Sequence, residues 1–293
     1  MGLIRAVLRK LRIFLEMIKF EHSIFALPFA YLGLFLAEGG LPGARVFFLV
    51  TVAMVSFRTM AMAVNRLMDR EIDARNPRTQ NRALPAHKLK TGFVWVLTLL
   101  SLAIFEWSAW VLNPLCFKLS PVAVALAWAY PYLKRFTWFS HLVLGMILGI
   151  APYGAWIAAR GTFSWVPAWL MLGVASWVCG FDMIYALQDE SFDRSSGLHS
   201  FPARFGARAS ITGARALHAL TIIFWLMAGF EAGLGIYYFS GLALAAGFLI
   251  REHWLVHLFG LQKVGEAFFT MNAVVSAVVF FAAVLDLVVG KGF

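Results

Sequence analysis

Long apolar runs, separated by shorter polar segments, are the dominant pattern along this chain. Nine of them approach or exceed the length of about 20 residues that an α-helix needs to cross a bilayer. They cover residues 20–38, 44–64, 93–112, 115–132, 138–158, 164–187, 211–230, 233–250 and 268–289. Because lipid offers the backbone no hydrogen-bond partners, these runs are predicted to be helices and not strands. The pattern therefore predicts an all-α integral membrane protein, with nine transmembrane helices that form a single domain over residues 1–293.

Three polar or mixed stretches interrupt the apolar pattern. Residues 3–19 alternate basic and apolar positions, which is typical of an amphipathic helix lying at a membrane surface. Residues 66–91 and 188–210 are long for connections within a helix bundle, and long connections often form lids or binding loops. We predict that these two connections are cap loops at one end of the bundle.

Composition and charge support the membrane assignment and add an orientation. Apolar residues make up 61 % of the 293 positions and charged residues only 14 %. Of the 25 Lys and Arg residues, 19 lie in the N-terminal segment or in the connections after the second, fourth, sixth and eighth runs, and Arg215 lies near the start of the seventh run. By the positive-inside rule, these parts face the cytoplasm and the C-terminus lies outside. The net charge of +10 thus reflects topology and contact with membrane lipid, and no nucleic-acid partner is predicted.

Candidate chemistry concentrates where the second apolar run ends. Asn65, Asp69 and Asp73 are four residues apart, so on a continued helix they share a face of roughly 80°. Oxygen ligands that point one way suit a hard cation such as Mg²⁺, which prefers one or two carboxylates together with substrate phosphates. Arginines, whose guanidinium groups suit phosphate oxygens, surround the motif: Arg66, Arg70, Arg75, Arg78 and Arg82. The motif indicates a diphosphate site, although by itself it also fits a solvated loop of mixed charge.

A second acidic motif ends the sixth run. Asp182, Tyr185, Asp189 and Asp193 share a helix face, and the spacing of the last three repeats that of the first motif. Two facing carboxylate clusters can each hold a divalent cation, with a diphosphate bridging them. Inside a membrane bundle, the natural substrate with a diphosphate head and an apolar tail is a polyprenyl diphosphate.

The basic pair after the fourth run is a further candidate for phosphate contact. Lys134 and Arg135 lie in a short aromatic connection, Y-P-Y-L-K-R-F-T. They fit either phosphate binding or the ordinary positive-inside bias, and the sequence alone favours neither.

These motifs resemble those of the UbiA superfamily of membrane aromatic prenyltransferases. Its signatures are N-x-x-x-D-x-x-x-D after helix two and D-x-x-x-D after helix six of a nine-helix fold, and both are present here. The segments N-P-R-T-x-N-R-x-L-P, Y-A-x-x-D and G-L-x-S-x-P-x-R-F-G are also similar, so the resemblance covers nearly the whole chain. It implies Mg²⁺-dependent transfer of a polyprenyl chain to a ring carbon of an aromatic hydroxy acid in quinone biosynthesis. The favoured acceptor is 4-hydroxybenzoate, and a dihydroxynaphthoate of a menaquinone route is the second choice.

The resemblance also implies roles for individual residues. Metal ligands would be Asn65, Asp69, Asp73, Asp189 and Asp193, and the four aspartates would be the catalytic residues. Substrate would be bound by Arg58, Asn65, Arg66, Arg70, Arg78, Arg82, Lys134, Arg135, Asp182 and Tyr185.

Arg58 is the residue expected to select the acceptor. It lies seven residues before Asn65, about 10 Å deeper along the same helix face. A charged arginine at such a depth is costly unless it is paired or faces a wet cavity, and the carboxylate of an aromatic acid would pair with it. The alternatives are a pair with Glu106 or a side chain that extends to the interface.

A transporter is the alternative from another functional class, since internal repeats and intramembrane charges also mark transporters. Transporter charges are expected near the bilayer midplane, whereas these aspartates lie at helix ends beside basic connections. That position favours a membrane-surface enzyme.

Overall fold

The computed structural model describes residues 2–20, 23–260 and 264–289, with side chains for 4–20, 27–260 and 270–289. All regular structure in these residues is helical. The helices are α1 Gly2–Met17, α2 Ser23–Glu38, α3 Ala44–Met68, α4 Arg70–Arg75, α5 Thr91–Leu112, α6 Pro114–Leu133, α7 Ser140–Arg160, α8 Trp165–Tyr185, a short 3₁₀ helix Ala186–Asp189, α9 Glu190–Ser195, α10 Phe201–Glu231, α11 Ile236–Phe259 and α12 Val264–Val289. The all-α prediction is confirmed for the described part of the chain.

Among the described residues, seven helices are long and apolar enough to cross a membrane: α3, α5, α7, α8, α10, α11 and α12. The predicted spans 20–38 and 115–132 also form helices, α2 and α6, which fall outside this group. Only 16 residues make up α2, and α6 contains Lys118 and two internal prolines that lower its hydropathy. A membrane-spanning helical fold is therefore supported, while the count of nine spanning helices stays a prediction.

The bundle is built around α8. This helix packs against α7 on one side and α10 on another, while α3 packs against α5 and α11 against α12. Trp177 of α8 and Trp225 of α10 are buried in the largest apolar core, where Phe29 of α2 lies against both rings. Gly145 lets α7 approach α8 closely, because an added Cβ would collide with the backbone carbonyl of Ala175.

Both acidic motifs lie where a long helix breaks and restarts. Helix α3 ends at Met68, Asp69 leaves helical geometry with φ −88° and ψ 3°, and α4 follows. Helix α8 ends at Tyr185 and continues through the 3₁₀ helix into α9. The motifs are thus not on continuous helices as their spacing suggested. The helical hydrogen-bond pattern continues across the first break, because the Asp73 N–H donates to the Asp69 carbonyl oxygen at 2.7 Å.

The segments predicted as cap loops are partly helical. The segment 66–91 contains the last turn of α3, the whole of α4 and a series of turns. The segment 188–210 contains α9 and the start of α10, which begins at Phe201 instead of the predicted 211. Gly206 interrupts α10 with φ 80° and ψ 173°, in the region that favours glycine, and separates the first turn from the rest. That these segments cap the cytoplasmic end remains a prediction.

Helix α1 closes one flank of the structure. Near its end, Phe14, Met17 and Ile18 pack against Leu67 and Val94, while its basic positions remain exposed. An amphipathic helix at this position agrees with the alternation of residues 3–19. Its C-terminal end lies beside the first acidic motif.

Candidate active site

The first acidic motif forms a buried, hydrogen-bonded group. Only 5 % of Asp69 and 4 % of Asp73 is exposed. Asn65 Nδ2 donates to Asp69 Oδ2 at 3.1 Å, and Arg66 Nη1 donates to Asn65 Oδ1 at 3.3 Å. Asn65 and Asp69 are therefore in direct contact at the helix end, and Asp73 follows one turn later.

Basic side chains neutralise these two carboxylates. Arg82 Nη1 donates to both oxygens of Asp73 at 2.8 Å. Lys134 Nζ lies 3.8 Å from Asp69 Oδ2 and Arg135 Nη2 lies 3.9 Å from Asp69 Oδ1. Burial raises the pKa of Asp69 above its ordinary value, and the charge of Lys134 opposes this. Asp69 Oδ1 is buried and accepts no hydrogen bond, and the Arg135 guanidinium lies 3.9 Å from it; this oxygen is open in the sense that it can still accept a bond.

The second motif is held by residues that follow the first. Arg78 donates to both oxygens of Asp189, with Nε 2.8 Å from Oδ1, and Asn76 Nδ2 donates to the same Oδ1 at 2.9 Å. Arg78 Nη1 also donates to the Tyr185 hydroxyl at 3.1 Å, and the guanidinium lies over that ring. The segment between α4 and α5 thus crosses to the end of α8 and brings the two motifs together.

Lys134 lies between the two motifs. Its backbone carbonyl accepts from the His199 N–H at 2.6 Å, which joins the connection after α6 to the segment before α10. Its ammonium group interacts electrostatically with Asp69, Asp189 and Asp193. Asp193 is buried and also accepts a hydrogen bond from the Ser200 side chain. One cation thus faces both acidic groups.

Asp182 is held by a buried histidine. Asp182 Oδ2 lies 2.6 Å from Nδ1 of His141, at the start of α7. The Phe201 N–H donates to His141 Nε2 at 3.3 Å, so the imidazole proton must lie on Nδ1 and point to the carboxylate. The Asp182 carboxylate is 19 % exposed and borders the cavity described next.

A cavity of about 1160 Å³ extends from the motifs into the bundle. Its polar end is lined by Asn65, Arg66, Tyr130, Asp182 and Tyr185, and its other walls are mostly apolar and aromatic. This space combines a charged end with an apolar interior, which suits a substrate with a charged head and an apolar tail.

Arg58 also borders this cavity. Its Nη2 donates to the carbonyl of Lys19 at 3.1 Å and its Nη1 to that of Ile18 at 3.4 Å, where α1 has just ended. It is not the partner of Glu106, whose Oε2 accepts from Ser120 Oγ at 2.6 Å. The structure therefore places Arg58 at the cavity wall, and its selection of an acceptor stays a prediction.

The residues with metal-ligand chemistry are not gathered into a preformed cage. Among the described residues, no three His, Cys, Asp or Glu side chains are close enough together to hold a metal ion. The motif aspartates are instead paired with arginines and a lysine. They still fit a hard cation in donor chemistry and in the open oxygen of Asp69.

The fold and sequence match known proteins over most of their length. A model of the UbiA prenyltransferase family matches residues 26–274. The chain belongs to this family. It is 30 % identical to 4-hydroxybenzoate octaprenyltransferase of Shewanella frigidimarina over 96 % of this chain and 98 % of that protein. The protein of that name from Alkalilimnicola ehrlichii is 30 % identical over 88 % of this chain and 87 % of its own.

Solved structures show the same fold. A UbiA homologue from Aeropyrum pernix superposes with a TM-score of 0.83 at 34 % identity, over 91 % of this chain and 98 % of the other. A UbiA homologue from Archaeoglobus fulgidus, solved with DMAPP and Mg²⁺, superposes with a TM-score of 0.72 at 18 % identity, over 94 % of this chain and 99 % of the other. Membership in the UbiA family makes the chain a prenyltransferase and removes the transporter alternative.

One predicted site residue of this UbiA prenyltransferase lies apart from the others. Arg70 Nη1 donates to Thr91 Oγ1 at 3.2 Å, and Nη2 lies 3.7 Å from Glu71. Its side chain is 44 % exposed and points toward the start of α5. Its predicted binding of substrate therefore finds no support in this geometry.

Three site residues of the UbiA prenyltransferase were missing from the sequence-based set: Asn76, Tyr130 and His141. Asn76 belongs to the family-like N-P-R segment and Tyr130 to the Y-P-Y-L-K-R connection, so both lay within recognised motifs. His141 carries no such signal, because only the packing of α7 on α8 brings it to Asp182.

Proposed function

We propose that this prenyltransferase transfers a polyprenyl chain from polyprenyl diphosphate to a ring carbon of an aromatic hydroxy acid, with Mg²⁺ as cofactor. The favoured acceptor is 4-hydroxybenzoate, and the reaction belongs to quinone biosynthesis. The observation that carries this proposal is the joining of two acidic motifs, through Arg78 and Lys134, at the charged end of an otherwise apolar cavity.

The donor is assigned from the shape and charge of the cavity. A polyprenyl tail fits its apolar interior, and the diphosphate fits its polar end, where Arg66 and Arg82 line the wall and Lys134 lies beside Asp69. Arg78 and Arg82 present guanidinium groups that match phosphate oxygens as well as the carboxylates they now contact. The A. fulgidus homologue, solved with a short prenyl diphosphate, supports this donor class.

Magnesium is assigned from the donor set. Asp69, Asp73, Asp189 and Asp193 supply hard oxygen ligands, with Asn65 as a neutral fifth, and Asp69 Oδ1 accepts no hydrogen bond. When bound, Mg²⁺ would supply positive charge that helps neutralise the departing diphosphate. The basic side chains Arg78, Arg82 and Lys134 would bind the same diphosphate group and orient it. Tyr185 positions Arg78 through its hydroxyl group.

The acceptor is assigned from the relatives and from Arg58. The similar proteins are named 4-hydroxybenzoate octaprenyltransferases, and Arg58 places a guanidinium at the cavity wall where an acid can pair with it. The allylic carbon next to the diphosphate is attacked by the ring carbon ortho to the phenol hydroxyl. Aromatic walls of the cavity, including Trp177 and Phe181, can stabilise the cationic character of that carbon.

The site is proposed to face the cytoplasm in the cytoplasmic membrane. The basic residues concentrate in the N-terminal segment and in the connections that carry both motifs, which is the positive-inside pattern. The expected external C-terminus, residues 290–293, lies outside the described residues.

A product assay tests the proposal. The protein in membranes would be incubated with Mg²⁺, octaprenyl diphosphate and either 4-hydroxybenzoate or 1,4-dihydroxy-2-naphthoate, and the lipid product identified by mass spectrometry. A prenylated 4-hydroxybenzoate whose formation stops on chelation of the metal is expected. A prenylated naphthoate alone would move the acceptor to the second choice, and no prenylated aromatic from either acid would overturn the proposed function.

A further inference from the structure

The His141–Asp182 pair has no chemical role so far beyond the substrate binding expected of Asp182. His141 is 6 % exposed, and its two ring nitrogens are both engaged, one with Asp182 and one with the Phe201 N–H. Asp182 keeps one carboxylate oxygen free of this histidine, and its side chain borders the cavity. A carboxylate held in one orientation by a neutral imidazole, and open to a substrate cavity, has the features of a general base.

The depth of Asp182 matches the place where the new bond would form. It lies three residues before Tyr185 on α8, about 4.5 Å farther from the diphosphate end. Tyr185 contacts Arg78, which holds Asp189, so the diphosphate would lie on the far side of Tyr185. The allylic carbon adjoins the diphosphate, and the acceptor ring must approach it from the cavity. Asp182 therefore borders the zone in which the ring would lie.

Resting on the proposed function, we propose that Asp182 is the base that removes the ring proton of the aromatic acceptor, and that His141 is its positioning residue. The bond from the allylic carbon to diphosphate breaks, with its electron pair leaving on the diphosphate. The ring carbon ortho to the hydroxyl forms the new carbon–carbon bond. The C–H bond at that carbon then breaks, its electrons restore the aromatic ring, and the proton moves to Asp182.

Other candidate groups are less suited to this role. Asp73 and Asp189 are each bound by an arginine at the diphosphate end. His141 can accept a proton at Nε2 only by losing its hydrogen bond from Phe201. Glu106 lies near the end of α5, six residues before Leu112. The first motif lies near the start of α5, so about 20 Å along this helix separates Glu106 from the motif.

A substrate isotope effect tests the base directly. Asp182→Asn keeps the shape and removes the base, so kcat should fall by about 10²-fold or more while binding of polyprenyl diphosphate stays near wild type. With 4-hydroxybenzoate deuterated at both positions ortho to the hydroxyl, the variant should show a larger primary isotope effect on kcat than the wild type, because proton removal has become slow. Glu106→Gln, which alters a hydrogen-bonded carboxyl elsewhere in the bundle, is the matched control and should keep the wild-type isotope effect.

If Asp182→Asn turns over too slowly for its isotope effect to be measured, the isotope effect is measured on Asp182→Glu instead. It keeps a carboxylate but displaces it, so it should be faster than the Asn variant and show the raised isotope effect. An Asp182→Asn enzyme within threefold of wild-type kcat, or a slow variant without a raised isotope effect, would overturn the proposal. Product formation by the wild-type enzyme is measured first. If the wild type makes no prenylated 4-hydroxybenzoate, the proposed acceptor is wrong, and this result is distinct from a failure of the proposed base.

His141 gives an independent readout of positioning. Asn at this position can place an amide N–H near the present Nδ1, so His141→Asn should restore part of the kcat lost in His141→Leu. Both variants should leave the KM for polyprenyl diphosphate near wild type, because the diphosphate is proposed to bind beyond Tyr185, about one helical turn from Asp182. Equal kcat in the Asn and Leu variants, when both are folded, would remove the positioning role.

Discussion

At the scale of single residues, the four motif aspartates occupy matching sequence positions but have different surroundings. Asp73 and Asp189 are each bound by one arginine, whereas Asp69 has an open oxygen and more distant cations. A metal bound by Asp69 would therefore compete with these more distant cations and not with a hydrogen-bonded arginine. Because buried carboxylates without a cation are costly, all four are expected to need either a metal or a basic partner.

Removing a motif carboxylate should nearly abolish turnover. Asp69→Asn, Asp73→Asn, Asp189→Asn and Asp193→Asn should each lower kcat/KM by about 10²-fold or more, because charge that stabilises the leaving diphosphate is lost. The measurement is initial rate at saturating Mg²⁺, with thermal unfolding in detergent as the check on folding. Glu190→Gln is the matched control, since Glu190 pairs with Arg194 on the same short helix and should stay near wild type. A folded aspartate variant at the wild-type rate would not be a ligand.

Substitution of Arg58 should affect both acceptor binding and protein stability. Arg58→Ala should raise the KM for the aromatic acid severalfold or more, while the KM for polyprenyl diphosphate changes little. Because Arg58 also binds the carbonyls that follow α1, a modest loss of stability is expected. Arg45→Ala is the control, since Arg45 likewise donates to a backbone carbonyl, that of Val111. An unchanged acceptor KM in folded Arg58→Ala would remove this residue from the site.

At the scale of helices, the ends of α3 and α8 position the chemistry and the packing of α7 on α8 completes it. Both acidic motifs begin inside a long helix and finish on a short separate one, and Arg78 and Lys134 connect the two motifs. The His141–Asp182 contact requires α7 and α8 to stay close, and Gly145 provides that closeness at Ala175.

A methyl group at Gly145 should therefore destabilise the protein. Gly145→Ala should lower the free energy of unfolding by about 1–3 kcal/mol, because the colliding atom belongs to the backbone and cannot move aside. Gly247→Ala is the control: its added Cβ meets nothing within 4 Å, and alanine favours a helix over glycine. Thermal unfolding of both variants in detergent gives the comparison. Equal midpoints would show that α7 and α8 tolerate a wider separation.

At the scale of the whole molecule, the site is an arrangement of balanced charges contributed by distant parts of the chain. Arg78 bonds Asp189 across 111 positions, and Lys134 contacts Asp69 across 65. The arginines and the lysine that would bind diphosphate are paired with the motif aspartates in this structure. Those aspartates are the groups that would bind the metal. Metal and diphosphate should consequently favour each other's binding, since diphosphate can draw the arginines away from the aspartates.

Arg78→Gln should separate these two effects. Affinity for Mn²⁺ alone, measured by electron paramagnetic resonance, should rise because the competing guanidinium on Asp189 is gone. Affinity for polyprenyl diphosphate should fall about tenfold or more, as expected for the loss of a charged hydrogen bond worth about 1.5–3 kcal/mol. Arg194→Gln, which removes an exposed cation paired with Glu190, should change neither affinity. Weaker Mn²⁺ binding in Arg78→Gln would contradict the competition.

The sequence alone determined the class of the protein and most of the positions where chemistry occurs. The start of α3 at Ala44 and the end of α5 at Leu112 agree with the predicted spans, because run length and hydropathy are local properties. The ends of the apolar runs located Asn65, Asp69 and the second motif at helix ends for the same reason, whereas the four-residue spacing did not reveal the breaks. The start of α10, at Phe201 against the predicted 211, and the end of α11, at Phe259 against the predicted 250, departed most, since helices there continue into polar sequence; in α10 a glycine at positive φ separates the added turn from the rest.

The tertiary structure alone decided which side chains meet. No periodicity indicates that Arg78 turns toward Asp189, that Arg70 turns away to Thr91, or that His141 reaches Asp182. These contacts depend on how α7 packs on α8 and on the path of the segment between α4 and α5. The spacing of residues within a helix determines which side chains share a face of that helix. The residues that contact this face belong to another helix, and the sequence of the first helix does not predict them.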